Sequence, residues 1–262
     1  MRGDVMKNFR SFTSYFFGQG TEVEFRNFTP AHFLPILFGV FVVFLIYRFR
    51  DKLASLKNEM ALRNGFALAM LISEMSYYWR LATMPELGGN PLDHLPITIC
   101  GWVIVFGALM LSSKSQTLFD ICYFWVFSGT VFALITPTVI TYTGPTRFRY
   151  YQFWCEHLFG YFAVFYMIFV HKFRPKIISV IKSFSCLTVL GVIAIFTNKI
   201  LGPGANYLFV AELEETASLL DILPKNYGLR LCLMATAVTV LFALSYLPWF
   251  IKDKKNNQPL FK

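Results

Sequence analysis

Seven stretches of the sequence are apolar enough, and about long enough, to cross a lipid bilayer. A spanning helix needs about 20 mostly apolar residues, with a usual range of roughly 17 to 25. Backbone polar groups cannot reach water inside a bilayer, so such stretches are expected to be helices. The sequence therefore predicts an all-α, polytopic bundle of about seven transmembrane helices. The stretches are residues 31–47, 61–79, 95–112, 118–140, 151–170, 177–197 and 227–251.

The composition excludes a soluble domain. Of the 262 residues, 56% are hydrophobic, 18% are aromatic and only 15% are charged, and the mean hydropathy is +0.52. A polar, water-exposed surface cannot be built from so few charged residues. A net charge of +9 would suggest a nucleic-acid partner in a soluble chain. Here, however, the Lys and Arg residues lie between the apolar stretches, where they orient a membrane protein, so nucleic-acid binding is excluded.

The distribution of basic residues predicts the orientation. One side of the predicted membrane receives the 48–63 loop, Lys114, residues 172–182 and the C-terminal tail, which together hold more than half of the 24 Lys and Arg residues. The opposite side is nearly neutral. Because basic loops stay in the cytoplasm, we expect a multi-pass protein of the cell membrane with its N-terminus outside and its C-terminus inside. We expect an outer or interfacial segment (1–30), a transmembrane domain (31–251) and a basic cytoplasmic tail (252–262).

Anionic lipid headgroups are the expected partners of the basic cytoplasmic face. This expectation concerns the 48–63 loop together with Lys172, Arg174 and Lys176. The sequence does not determine the oligomeric state.

The five cysteines are an odd number without a CxxC pair, so they predict neither a disulfide framework nor a zinc site. No motif for a metal, a nucleotide or a flavin is present, and we predict no cofactor. Four of the cysteines are expected to be packing residues among apolar neighbours. They are Cys122, Cys155, Cys186 and Cys232.

Polar residues of three predicted spans lie at a similar depth. Glu74 lies five residues before Trp79, Cys100 five after Leu95, and His157 six after Tyr151. At 1.5 Å per residue these side chains lie roughly 7 to 9 Å below the outer ends of their helices. Glu156 belongs to the same layer, whereas His32 and His94 are expected at interface depth, in contact with solvent. Ionisable groups inside a span are costly and therefore mark a candidate functional site.

A thiol, an imidazole and carboxylates are the groups that nucleophilic catalysis requires. A thiol becomes an effective nucleophile when a base takes its proton and a third group holds that base. Cys100, His157 and either Glu74 or Glu156 have the side chains for these roles. An inert cysteine beside a His–Glu pair that ties helices together has the same spacing. Another alternative is a non-enzymatic transporter or lipid-binding protein, in which Glu74, Glu156 and His157 form an ion or headgroup site.

Several motifs resemble those of a known family. The block from His94 to Cys100, with sequence HLPITIC, is similar to the leucine-proline and cysteine signature of YwaF-type bacterial membrane proteins, which distantly resemble the animal transmembrane protein 164 family. Further matching blocks cover more than half of the chain, although this chain has Thr98 and Thr138 where family members have a histidine and an acidic residue. The matching blocks are Thr136-Pro137, Pro145, Gln152-Phe153 with His157, Arg174-Pro175 and Asn206-Tyr207-Leu208.

The resemblance implies a cysteine-dependent acyltransferase that moves fatty acyl chains between phospholipids. It would make Cys100 the acylated nucleophile and His157 its base. Asn206, Tyr207 or Thr98 would then be candidates to stabilise the oxyanion. If the layer opens outward, cytosolic acyl-CoA cannot be the donor, because a charged thioester would have to cross the bilayer; the expected donor and acceptor are membrane lipids.

Overall fold

The computed structural model describes residues 12–18, 25–84, 91–137, 144–211 and 223–256. Within these ranges the chain is helical and contains no β-strand. We number the α-helices α1 to α9; a five-residue π-helical turn, Val126–Thr130, joins α5 to α6. The helices are α1 (Pro30–Arg48), α2 (Arg50–Ala54), α3 (Glu59–Thr83), α4 (Ile99–Ser113), α5 (Gln116–Trp125), α6 (Val131–Ile135), α7 (Phe148–Phe169), α8 (Ile177–Leu201) and α9 (Tyr227–Lys255).

Each of the seven predicted stretches contains helix, and four of the described helices are long and apolar enough to cross a membrane by length and composition. These are α1, the continuous α5–α6 segment (Gln116–Ile135), α8 and α9. Helix α4 is apolar but has only 15 residues. Helices α3 and α7 have 25 and 22 residues, and both carry charged residues along their length. The all-helical membrane architecture is therefore confirmed at the level of these four helices.

Two ends of the predicted segments differ clearly from the sequence-based boundaries. The stretch predicted to begin at residue 95 becomes α-helical at Ile99, and the stretch predicted to run to residue 140 ends as a helix at Ile135. Residues 138–143, which include Thr138, lie outside the described part of the chain. Of the proposed N-terminal segment and tail, residues 1–11, 19–24 and 257–262 are not described, so the three-part division of the chain remains a prediction.

The α5–α6 segment lies near the centre of the bundle, and α1, α8 and α9 lie at its periphery. In its most apolar window 56% of the α5–α6 segment is buried, against 11% for α1 and 11% for α9. Phe124 on α5 is fully buried, and its ring centre lies 4.9 Å from that of Phe242 on α9. Exposed leucines, valines and phenylalanines cover the outer helices, as expected for helices whose solvent is lipid.

Glycines bring α3, α4 and α7 into close contact. A Cβ atom on Gly107 of α4 would lie 2.8 Å from Met70 of α3, and one on Gly160 of α7 would lie 2.5 Å from Val103 of α4. Small residues permit such close helix approach in membranes, where packing drives helix association. The register of all three helices is fixed by these contacts.

Ion pairs stabilise the end of the bundle at which α3 begins and α1, α7 and α9 end, which we call the basic end. Glu59 accepts hydrogen bonds from Arg63 at 3.0 Å and Tyr166 at 3.0 Å, and its carboxylate lies 2.8 Å from His171 Nε2. Arg63 is 4% exposed and also donates to the carbonyl of Ser112. The Arg63 guanidinium is therefore held by protein groups.

Arg174 also pairs with a carboxylate at this end of the bundle, and the headgroup prediction stays a prediction. Its guanidinium pairs with Asp253, whose side chain is 2% exposed. A second buried carboxylate, Asp120, is neutralised by Lys182 at 3.0 Å. A buried charge is tolerated only when it is paired and hydrogen-bonded, so these contacts hold α5, α8 and α9 in place.

The opposite end of the bundle, where α4 and α7 begin, we call the site end. His32 lies here. Its side chain was predicted to contact solvent, but it is buried, with 1% exposed. Its Nδ1 accepts from the Phe28 N–H and its Nε2 donates to the Leu134 carbonyl at 2.8 Å. The imidazole thus satisfies two backbone groups and joins α1 to α6.

Residues 12–18 pack against the same end. The aromatic rings of Phe16 and Phe17 contact Phe148 at the start of α7. The guanidinium of Arg80 donates to the carbonyls of Phe17 and Gly18, and Arg147 donates to the carbonyl of Tyr15. Two buried arginines therefore hold this short segment over the N-terminus of α7.

The tight contact at Gly160 predicts a large effect of one methyl group. We expect Gly160→Ala to destabilise the protein by about 1 to 3 kcal/mol, because the new Cβ would overlap Val103. The measurement is the thermal unfolding midpoint of the detergent-purified protein. Gly191→Ala is the matched control, since a Cβ on Gly191 of α8 would meet nothing within 4 Å. Equal midpoints for the two variants would contradict the proposed packing.

Candidate functional site: a polar layer at the site end of the bundle

Cys100 lies in the first turn of α4. Thr98 is the N-cap, and its hydroxyl accepts a hydrogen bond from the Gly101 N–H at 3.1 Å. The first N–H groups of a helix have no intrahelical acceptor, and helix N-termini favour negative charge. The dipole of α4 is therefore directed at the Cys100 thiol or at an oxyanion formed next to it.

The π-helical turn provides the direct partner of this thiol. Cys100 Sγ lies 3.8 Å from the hydroxyl of Thr130, which is 1% exposed. A Cβ atom on Gly129 would lie 2.8 Å from Ile99, so glycine permits the turn to approach the start of α4. Tyr161 of α7 donates to the Val126 carbonyl at 2.5 Å. The irregular turn is thus held on both sides, as π-helical turns at functional sites often are.

Two carboxylates face the same layer. A Cβ atom on Gly101 would lie 2.9 Å from Glu74 Oε1, which confirms the predicted common depth of Glu74 and Cys100. Glu156 accepts a hydrogen bond from Gln152 at 3.2 Å and forms an ion pair with Arg149 at 3.5 Å. Glu74 and Glu156 are close enough to interact electrostatically with each other and with Cys100.

The cation of the layer is Arg149. Its guanidinium carbon lies 4.4 Å from the ring centre of Tyr77, whose hydroxyl in turn lies 2.7 Å from His94 Nδ1. Gln152 links this group to α3 through the Ser73 carbonyl at 3.5 Å. Arg149 therefore faces two carboxylates, and Glu74 Oε2 is buried without a hydrogen-bond partner among the residues that the structure describes.

His157 is buried at the same level of the bundle. It lies one turn before Gly160, which packs against Val103 and Val126. Its Nδ1 lies 2.7 Å from the Phe153 carbonyl. Because a carbonyl only accepts hydrogen bonds, Nδ1 carries the proton in the neutral ring, and Nε2 is the basic nitrogen. The residues that the structure describes form no hydrogen bond to Nε2.

These contacts correct the expected role of the carboxylates. The group that holds the imidazole is the Phe153 carbonyl and not Glu74 or Glu156. Within the described ranges, no hydrogen bond joins His157 directly to Cys100. Catalytic hydrogen bonds are often absent without substrate and form in the complex, so the arrangement leaves Nε2 available to a group bound between the two side chains.

Asn206 and Tyr207 have a different role from the one expected. The Asn206 side-chain oxygen accepts from the Ala211 N–H at 3.1 Å. The Tyr207 hydroxyl accepts from the Leu95 N–H at 3.0 Å and donates to the Leu92 carbonyl. That hydroxyl has a single proton and already donates it. Tyr207 therefore positions the segment that leads into α4, rather than donating to an oxyanion.

Within the described ranges, the side chains of His, Cys, Asp and Glu form no group of three or more that could hold a metal ion. All five cysteines are free thiols. Cys122 is buried in α5, whereas Cys232 is exposed on α9. The layer thus offers organic acid, base and nucleophile groups.

The chain was compared with known proteins. A family model described as the TMEM164 family matches residues 27–246, which covers α1 to α8, most of α9 and every residue of the polar layer. The chain belongs to the TMEM164 family. No curated protein and no solved structure matches it. The similarity to YwaF-type proteins stays a prediction.

Thr130, Gly129 and Tyr161 of this TMEM164-family protein were not predicted as site residues from the sequence. The only local signal was a run of small residues, Ser128-Gly129-Thr130, inside an otherwise apolar and aromatic stretch. Glycine within a predicted helix often has a packing or functional reason. The contact of Thr130 with Cys100 joins positions 30 residues apart and depends on the π-helical turn, which local sequence patterns do not predict.

The role assigned to Tyr207 can be tested by removing one oxygen atom. We expect Tyr207→Phe to leave the Leu95 N–H without its acceptor and to destabilise the segment by about 1 kcal/mol. Hydrogen–deuterium exchange of peptides covering residues 92–98 should become faster. Tyr47→Phe is the control, because Tyr47 is 49% exposed and its hydroxyl forms no hydrogen bond in the described structure. Unchanged exchange in Tyr207→Phe would refute the role.

Proposed function

We propose that this protein is an integral-membrane acyltransferase that moves a fatty acyl chain between phospholipids through a thioester on Cys100. The observation that carries the proposal is the position of the Cys100 thiol. It lies in the first turn of α4, beside the Thr130 hydroxyl and at the level of the buried His157. Membership of the family supports the assignment as a membrane protein. The thiol of Cys100 and the imidazole of His157 support acyl transfer as the reaction.

The proposed topology has seven spans in the cell membrane. In it, α3, α4 and α7 cross the membrane together with the four apolar helices, and their polar side chains face the bundle. The N-terminus is outside and the C-terminus is cytoplasmic, which places the basic end in the cytoplasm. The contrast in charge between the two sides supports this orientation.

The first half-reaction acylates the cysteine. The Cys100 thiolate attacks the ester carbonyl of a phospholipid, a C–S bond forms, and the bond from the carbonyl carbon to the glycerol oxygen breaks. His157, which has taken the thiol proton on Nε2, returns it to the leaving lysolipid oxygen. The N-terminal end of α4, together with the Thr130 hydroxyl, would stabilise the oxyanion.

The second half-reaction transfers the acyl chain. The hydroxyl of a second lysolipid loses its proton to His157 and attacks the thioester. The new ester forms, the C–S bond breaks, and the proton returns to the sulfur. No oxidant, metal or coenzyme is needed. Glu156 and Arg149 lie beside the reacting groups, where they are suited to position a lipid headgroup.

The alternative is a non-enzymatic transporter or lipid-binding protein. Glu74 has a buried oxygen with no hydrogen-bond partner among the described residues and interacts with Glu156 and Arg149, which favours an ion or headgroup site at the same place. In that case the carboxylates would be essential and the thiol dispensable. The two functions therefore differ in which single substitution abolishes activity.

Intact-protein mass spectrometry tests the thioester. After incubation with phospholipid, we expect the purified protein to gain the mass of a fatty acyl group, and hydroxylamine at neutral pH should remove it. Cys100→Ser should not form a hydroxylamine-labile adduct. Cys155→Ser and Cys232→Ser are the controls, and both should acylate normally. Absence of the adduct in the folded wild type, or activity that survives Cys100→Ser but not Glu74→Gln, would favour the alternative.

The contact between Thr130 and Cys100 makes a second prediction. Thr130→Val keeps the shape of the side chain but removes the hydroxyl, and a hydrogen bond to a charged group contributes roughly 1.5 to 3 kcal/mol. We expect the rate of Cys100 acylation to fall about 10- to 100-fold. Thr130→Ser restores the hydroxyl and should retain most of the rate. If both variants slow the reaction equally, the hydroxyl is not the relevant group.

A further inference from the structure

A cavity of about 460 Å³ lies at the basic end of the bundle. It is formed where α1, α7 and α9 end, next to the π-helical turn between α5 and α6. Its size falls within the range of about 300 to 1,000 Å³ typical of small-molecule sites. Aromatic and aliphatic side chains form its wall, and basic side chains form its mouth. The wall includes Tyr47, Tyr123, Phe127, Phe165, Ile168 and Trp249.

The basic side chains at the mouth are incompletely neutralised. Arg174 is paired with Asp253, and Arg50 lies 3.8 Å from the exposed Asp51. Lys172 and Lys252 form no ion pair with any carboxylate that the structure describes. Cations gathered around one opening repel one another, and this repulsion is strengthened near lipid, where the effective dielectric constant is low. The mouth is therefore complementary to an anion.

The local backbone holds one of these cations in place. Lys172 follows the end of α7 and has a φ angle of 59°, a left-handed conformation that residues other than glycine rarely adopt. Its ammonium group donates to the Phe169 carbonyl at 2.7 Å. The Phe173 N–H donates to the Met167 carbonyl at 3.0 Å. The turn thus directs Lys172 to the cavity mouth at the cost of an unfavourable backbone conformation.

We propose that this cavity binds one anionic phospholipid. The phosphate would lie between Lys172, Lys252 and Arg50, and an acyl chain would pack against Phe127, Phe165 and Ile168. A soluble phosphate compound would contact the basic mouth but not the aromatic wall. A neutral lipid would contact the aromatic wall but would not neutralise the basic mouth. An amphiphile with a negative headgroup satisfies both parts of the cavity. This site is separate from the polar layer and does not depend on the proposed acyl transfer.

Native mass spectrometry of the full chain in detergent tests the proposal. The protein carries Cys100→Ser, so that an acyl transfer cannot consume the lipid. We expect one phosphatidylglycerol to bind at least 10-fold more tightly than phosphatidylcholine. Glycerol 3-phosphate and inorganic phosphate, as soluble competitors, should not displace it. Equal binding of the two lipids, or displacement by either soluble anion, would overturn the assignment to an anionic lipid.

Three variants separate this cavity from general attraction to a basic surface. Removing each lysine is expected to weaken binding roughly fivefold, so Lys172→Gln with Lys252→Gln should weaken it about 30-fold. Lys57→Gln with Lys254→Gln is the control with the same change in charge, and both of those lysines are exposed outside the cavity. It should bind within about twofold of the parent. An equal loss in both double variants would refute a specific site.

The third variant changes the wall without changing the charge. Ile168→Trp places a larger side chain in the cavity and is expected to weaken phosphatidylglycerol binding at least 10-fold. It also tests the proposal if the lysine variants fail to fold. A thermal midpoint close to that of the parent shows that the variant is folded. Unaltered binding by folded Ile168→Trp would show that the lipid does not enter the cavity.

Discussion

The close approach of α3, α4 and α7 is the contact on which the rest of the structure depends. In lipid, apolar side chains gain little by leaving the surrounding acyl chains, so helix association relies on packing and on polar contacts. Gly101, Gly107 and Gly160 remove the side chains that would separate these helices. Because Gly101 lies next to Cys100 and against Glu74, the same packing that holds the bundle together also brings the thiol to a carboxylate. The packing of these helices therefore also determines the geometry of the site.

Polar groups in the bundle are satisfied differently at its two ends. At the basic end, Glu59 and Asp253 are paired with Arg63 and Arg174, which are structural contacts. At the site end, Glu74 has a buried oxygen and His157 a ring nitrogen that form no hydrogen bond with the residues that the structure describes. Incomplete satisfaction is costly in a low dielectric. Buried polar atoms without a described partner also occur at the basic end, Asp253 Oδ1 and Arg174 Nε among them, but at the site end they share one layer with the Cys100 thiol, where a bound substrate would complete their contacts.

The sequence was sufficient for the membrane class, the helical fold and the depth of the layer. Apolar length and the rise per residue are local properties, so Glu74 and Cys100 could be placed at one level before any contact was known. The orientation of each helix about its own axis could not be predicted from the sequence. Consequently His32 was expected in solvent although it is buried, and a carboxylate was expected to hold His157 although the Phe153 carbonyl does so. Thr130 was missed because a π-helical turn shifts the face of every residue that follows it.

The two sites obtain their positive potential from different sources. At the site end, α4 begins beside Cys100, so its N-terminal dipole is directed at the sulfur or at an oxyanion formed next to it. At the basic end, α1, α7 and α9 present their C-termini, whose dipoles disfavour anions, so Lys and Arg side chains must provide the positive charge. Fixed dipoles need no rearrangement when charge develops during a reaction. Ammonium groups instead pair with a headgroup that is already charged, as binding requires.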